Sequence, residues 1–185
     1  MKYCAFLFAL ALLFPSCWSD EAPAESNPPA EDKPGEDVQP LEPVELDVLK
    51  AVLPKRLLGM ERIEYSANKT GAFGFNVSVV TATYEEDDAR LDIVITDAGR
   101  FTQVISGIAT WTKMEVDKEN ESGFERTTTI EGYKAFEKYN RDRRSGELSL
   151  IVDNRFVVAI DGEGVDERDF RRIVRRLDLE DLERR

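Results

Sequence analysis

The chain has 185 residues, and its 37 acidic residues against 25 Lys and Arg give a net charge of −12. That excess argues against nucleic acid as a partner. There is no histidine, and the only cysteines are Cys4 and Cys17, which removes imidazole shuttles, Ser-His-Asp triads and His-ligated metals, as well as thiolate nucleophiles beyond position 17.

Lys2 precedes an unbroken apolar run, Ala5 to Phe14. The run is too short to cross a bilayer as a helix, which takes about 20 residues. It matches the apolar core of a secretory leader, about 7–15 residues long. Two cleavage sites compete. Phe14-Pro15-Ser16-Cys17 resembles a bacterial lipobox, which would make Cys17 the lipidated first residue of the mature chain. A general signal peptidase would cut after Ser19 instead. Residues 1–17 are read as a signal peptide with a lipobox-like end, and lipidation of Cys17 is favoured because a tether follows it.

Residues 18–44 hold six of the eight prolines (Pro23, Pro28, Pro29, Pro34, Pro40 and Pro43) and many acids against the single base Lys33. Too little apolar surface is present to offset the entropy of ordering, so an extended, disordered linker is expected. Residues 45–185 then form one domain of ordinary size. With no cysteine after position 17, no disulfide can staple it.

Leu46, Leu49 and Leu53 at helical spacing predict a short helix over 45–53, ended by Pro54. LPKRLLGM follows as an apolar turn. Strands are expected over 60–68, 75–84 and 89–96, where Phe75/Val77/Val79 and Leu91/Ile93/Ile95 alternate with polar residues. Phe101, Val104, Ile105 and Ile108 change the period to that of a helix over 101–111. DKENESG (117–123) reads as a polar loop. Further strands are expected over 124–131, 133–140, 147–153 and 155–161, with Gly132, Ser145-Gly146 and Asp153-Asn154 as turns. Asp166 is the expected cap of a last helix whose core stripe is Phe170, Ile173, Val174 and Leu177. The expected fold is α+β: a single antiparallel sheet of about six or seven strands, with N-terminal, central and C-terminal helices packed on it as an α/β/α sandwich.

No GxxxxGK[ST] or GxGxxG sequence occurs, so the usual phosphate cradles are missing. Glu85-Glu86-Asp87-Asp88 reads as a solvated turn rather than a calcium site, and Asp161 to Asp166 fails the EF-hand pattern at Val165. Asp92 and Asp153 are candidates for a general acid–base pair. Arg168, Arg171, Arg172, Arg175 and Arg176 fall opposite the apolar stripe of the last helix and form a candidate interaction face, weighed against local pairing such as Asp169 with Arg172. Phe73, between glycines, is a candidate exposed tip. No catalytic residue, cofactor or metal ligand is assigned.

The runs LPKRLLGMERIEYSANKTGAFGFNVSVVTATYE, IEGYKAFEKY and RFVVAIDGEGVDERDFRRIVRRLDLEDL resemble an uncharacterised group of bacterial exported lipoproteins, across most of residues 53–182. That group has no catalytic motif to carry over. The element order is similar to the PsbP-like sandwich, a fold used mainly for binding and assembly, although fold alone does not set function. The expectation is a lipid-anchored module of the bacterial envelope, without catalytic activity, that binds another protein or a surface polymer. The alternatives are a carrier of a small apolar ligand and a carboxylate-based hydrolase.

Overall fold

The computed structural model describes residues 42–72, 75–99 and 109–184. The expected leader, Cys17, most of the expected tether, Phe73 and positions 101–108 of the expected central helix lie outside the described residues.

Among the described residues, nine strands make one sheet: β1 (Arg56–Leu57), β2 (Met60–Ala72), β3 (Phe75–Glu86), β4 (Ala89–Asp97), β5 (Asp117–Asn120), β6 (Gly123–Ile130), β7 (Tyr133–Asn140), β8 (Ser145–Val152) and β9 (Phe156–Glu163). Their order is β1-β2-β3-β4-β9-β8-β7-β6-β5. Every neighbouring pair is antiparallel. The first four strands and the last five are each a meander, and only β4 against β9 joins the two. Short helices accompany the sheet: α1 (Leu46–Ala51), α2 (Glu167–Val174) and α3 (Leu179–Glu183), with one 3-10 turn at Thr110–Lys113.

Side-chain alternation sets the layers. Leu91, Ile93 and Ile95 of β4 lie beside Val158 and Ile160 of β9 on one buried face. Leu49 of α1, Phe170, Ile173 and Val174 of α2, and Leu179 and Leu182 of α3 close over that face in one apolar cluster. The other face is different. Near the Asp97 end of β4, Ala98, Ala109 and Trp111 pack on Val77, Ile151 and Val157. Toward the opposite strand ends it carries charged residues and, among the described residues, stays open.

Residues with positive φ form the turns, most of them Gly, Asp or Asn. Glu131 and Gly132 (51° and 91°) link β6 to β7, and Asp153 and Asn154 (both 49°) link β8 to β9. Such left-handed pairs match the twist of the strands they join.

The fold differs from the expected sandwich. Among the described residues the sheet has nine strands rather than six or seven, and the helices at the N-terminal and C-terminal ends are short. One extra strand, β5, was expected to be loop: all four of its residues are exposed, so no buried face leaves an alternating pattern to read. The other, β1, is two residues folded onto β2 through Leu58 and Gly59, at φ 54° and 104°. The last helix breaks between Val174 and Leu179 into α2 and α3. Asp166 does hold the N-cap position of α2, but its side chain makes no capping bond. Its carboxylate instead accepts from Arg144 Nε and Nη2 at 3.1 and 3.0 Å.

Gly146, expected in a turn, and Gly162 sit inside β8 and β9 as a directly opposed pair. A Cβ at Gly162 would lie 2.9 Å from Phe170 Cζ, and one at Gly146 3.1 Å from the same atom. The two glycines form the floor on which the Phe170 ring of α2 rests.

Candidate functional site

The open face is built by strand register. Lys118, Glu125, Lys138, Glu147, Asp161, Asp92 and Thr83 are successive partners across β5, β6, β7, β8, β9, β4 and β3. Arg90 and Glu163 face each other one step further along. A groove of about 510 Å³ lies over the β5–β9 part of this row, lined by Lys118, Asn120, Lys138, Asn140, Arg143, Ser145, Glu147, Asp161 and Glu163 among others. Its size falls within the range of small-ligand sites, about 300–1,000 Å³. A second concavity, beside Phe170, holds about 10 Å³, room for one water at most.

Most charges in the row are matched. Lys118 pairs with Glu125 and Lys138 with Glu147, each at 3.6 Å. Asp92 accepts from Thr83 Oγ1 at 2.5 Å and from Arg90 Nε at 2.9 Å. Asp161 and Glu163 have no ion pair among the described residues. Partial burial pushes the Asp161 carboxyl above its ordinary value, neighbouring Glu147, Asp92 and Glu163 push the same way, and Lys138 opposes them. Asp161 remains solvent-exposed as a residue, so it lies at the floor of an open groove rather than in a sealed pocket.

The sequence pairing of Asp92 with Asp153 does not form. Asp153 lies in the β8–β9 turn, at the other end of β9. The carboxylate opposite Asp92 is Asp161. Sequence reasoning placed Asp161 at the end of the strand 155–161, but only the register of two strands far apart in the chain reveals the pair. No group of three or more Asp, Glu, Cys or His suited to a metal ion occurs among the described residues.

The five arginines sit on α2 and the turn after it, and are largely engaged. Arg172 pairs with Asp169 at 2.6 Å and Arg175 with Glu131 at 3.0 Å. Arg171 lies 3.7 Å from Glu137, a buried carboxylate that Arg126 also holds at 2.8 Å. Arg168 and Arg176 are exposed and have no ion pair among the described residues. The candidate interaction face is therefore narrower than its spacing suggested.

A second polar cluster was not anticipated. Asp97, at 0 % exposure, accepts from Arg155 Nε at 2.9 Å and Nη2 at 2.8 Å. It also accepts from the backbone N–H of Val44 at 2.7 Å and of Gly99 at 2.8 Å. Arg155 Nη2 donates in addition to the Glu42 carbonyl at 3.1 Å, and Ser78 Oγ donates to the Val44 carbonyl at 3.2 Å. The segment leading into α1 is thus clipped to the β4–β9 end of the sheet. All of the Asp97 bonding capacity goes into this clip, which makes it a structural site rather than a reactive one.

Comparison of the chain with protein-family models, with curated proteins and with solved structures gave no match.

Proposed function

We propose that this protein is a lipid-anchored component of a bacterial cell envelope whose domain is a binding module working through the open face of its sheet. The observation that supports this is the asymmetry of the sheet. Helices close one face, while the charged end of the other keeps a groove of about 510 Å³ with donors and acceptors on five adjacent strands. The ligand class is a protein surface or a hydrophilic envelope polymer, because the groove offers hydrogen-bonding and charged groups rather than an apolar wall. Cys17 supplies the anchor: a diacylated and N-acylated cysteine carries several chains, each adding about 0.8 kcal/mol per buried methylene.

Two measurements test the two halves of the reading. Intact mass of the membrane-extracted protein should show a chain beginning at Cys17 with added acyl mass, and Cys17→Ala should move it to the soluble fraction. A mature chain beginning at Asp20 without added mass would sink the anchor. Co-sedimentation with purified cell-wall polymer, or titration against candidate envelope proteins, should weaken severalfold for the double variant Asp161→Lys, Glu163→Lys. Binding indifferent to both substitutions would remove the groove from the reading.

One observation favours a second function, the carboxylate-based hydrolase. Asp92, held by Arg90 and Thr83, directly opposes Asp161, whose carboxyl partial burial pushes above its ordinary value. Two carboxylates that face each other are what acid–base hydrolysis uses. Turnover of a glycan or ester panel, abolished by either Asp→Asn change, would establish it.

A further inference from the structure

The two edges of the sheet are not equally protected. Along β5 all four residues are exposed and three are charged, and the outer side of β6 beyond it is occupied where Thr127 N–H donates to the Val116 carbonyl at 2.8 Å. At the opposite edge β1 covers only Met60 and Glu61 of the 13-residue β2, and Arg62 N–H donates to the Lys55 carbonyl at 3.0 Å. A β-bulge between Arg62 and Glu64 throws Ile63 outward, at 57 % exposure. From Glu64 to Ala72 the inner side of β2 is laddered to β3, and among the described residues no backbone hydrogen bond leads outward. Unpaired strand edges of this length template the addition of another strand.

We propose that a second copy of this chain pairs with this edge, β2 against β2 in the antiparallel sense, about a two-fold axis at Asn68. Three observations select this occupant. The stretch is electrically neutral, since Glu64 and Lys69 are its only charged residues, so two copies of a protein with net charge −12 meet here with least repulsion. The free stretch Glu64–Ala72 is centred on Asn68, so pairing its full length with itself fixes the register. In that register side chains of like face oppose one another: Ser66 meets Thr70 and Asn68 meets Asn68 on the open face, and Tyr65 meets Gly71 on the helix-covered face. Ser–Thr pairs and an aromatic ring laid over an opposing glycine are favourable cross-strand combinations, and no like charges fall opposite one another. The isologous contact closes as a dimer rather than growing a filament. The inference stands apart from the proposed anchor.

The test uses the chain from residue 17 onward, which contains every residue of the described fold, with Cys17→Ser so that an introduced thiol is the only one. Asn68→Cys should form a disulfide-linked dimer under mild oxidation, because directly opposed Cα atoms lie about 4.5–5.5 Å apart and a disulfide needs about 4.4–6.8 Å. Ala67→Cys and Lys69→Cys should each cross-link poorly alone, at diagonal separations of about 7–8 Å, but well when the two are mixed. Light scattering without oxidant should show twice the monomer mass, and Asn68→Lys should weaken dimerisation about fivefold by setting two ammonium groups at the axis. A monomer at every concentration would overturn the proposal and leave the edge to a strand of another protein. Equal cross-linking at all three positions would overturn it as well.

Discussion

Arg155 and Asp97 form a two-pronged ion pair, at 2.8 and 2.9 Å, that is 4 % and 0 % exposed at the side chains. It lies where the two meanders meet and where the chain enters the domain. A buried pair of this kind adds little relative to apolar packing, but removing one partner strands a charge and costs about 3–5 kcal/mol.

Arg155→Met should therefore lower unfolding stability by about 3–5 kcal/mol, read from denaturant midpoints. The double variant Arg155→Met, Asp97→Leu should recover part of that loss, because no lone charge remains. A single variant within 1 kcal/mol of wild type, on the order of an exposed pair, would show that the pair is hydrated.

Asp161 gives a pH signature. Its folded-state carboxyl keeps a proton to higher pH than in the unfolded chain. Its contribution is then fully present in acid, below the unfolded value, and fades as pH rises through the raised folded value. Asp161→Asn should raise the melting temperature at neutral pH and lose that advantage in acid. Melting curves across the acidic range check this, and a difference that does not vary with pH would contradict it.

Gly162→Ala drives a methyl group against Phe170 and Val165, with first contacts of 2.9 and 3.2 Å. Overpacking of this size costs about 1–3 kcal/mol. Phe170→Leu in the same chain should relieve part of the strain, so the two changes should be less than additive in a double-mutant cycle.

The arginines divide by partner. Arg168→Ala and Arg176→Ala should change stability by no more than about 0.5 kcal/mol, as for surface substitutions elsewhere. Glu137→Ala should cost more, about 2–3 kcal/mol, because it strips a charged hydrogen-bond partner from Arg126, which is 29 % exposed at the side chain. Chemical denaturation of the three variants separates these cases, and equal losses would refute the division.

Much of the sheet was legible in the sequence because alternation survives wherever one face is buried. Leu91, Ile93 and Ile95 announce β4, and Phe156, Val158 and Ile160 announce β9. β5 was not legible for the same reason in reverse, since it buries nothing, and β1, which buries Leu57, is only two residues long and too short to show a period. Gly146 and Gly162 carry a signal that two explanations share, since a glycine marks either a turn or a close approach, and only the position of Phe170 decides. The arginine spacing was readable, but its neutralisation depends on Glu131 and Glu137, which come from other strands. Asp92 with Asp161, and Asp97 with Arg155, depend on the register of β4 against β9, which no local pattern encodes.

That junction also governs how the chain reaches its native state. Every other strand pairing links neighbours along the chain and closes through a short turn, whereas Ile93 must find Ile160 across the whole intervening sequence. Loop-closure entropy makes such a distant encounter slow relative to hairpin formation. Two independently zipped halves followed by a late, rate-setting docking step is the kinetic order this topology imposes. Substitutions along β4 and β9 should slow refolding, while those in the outer hairpins should mainly hasten unfolding.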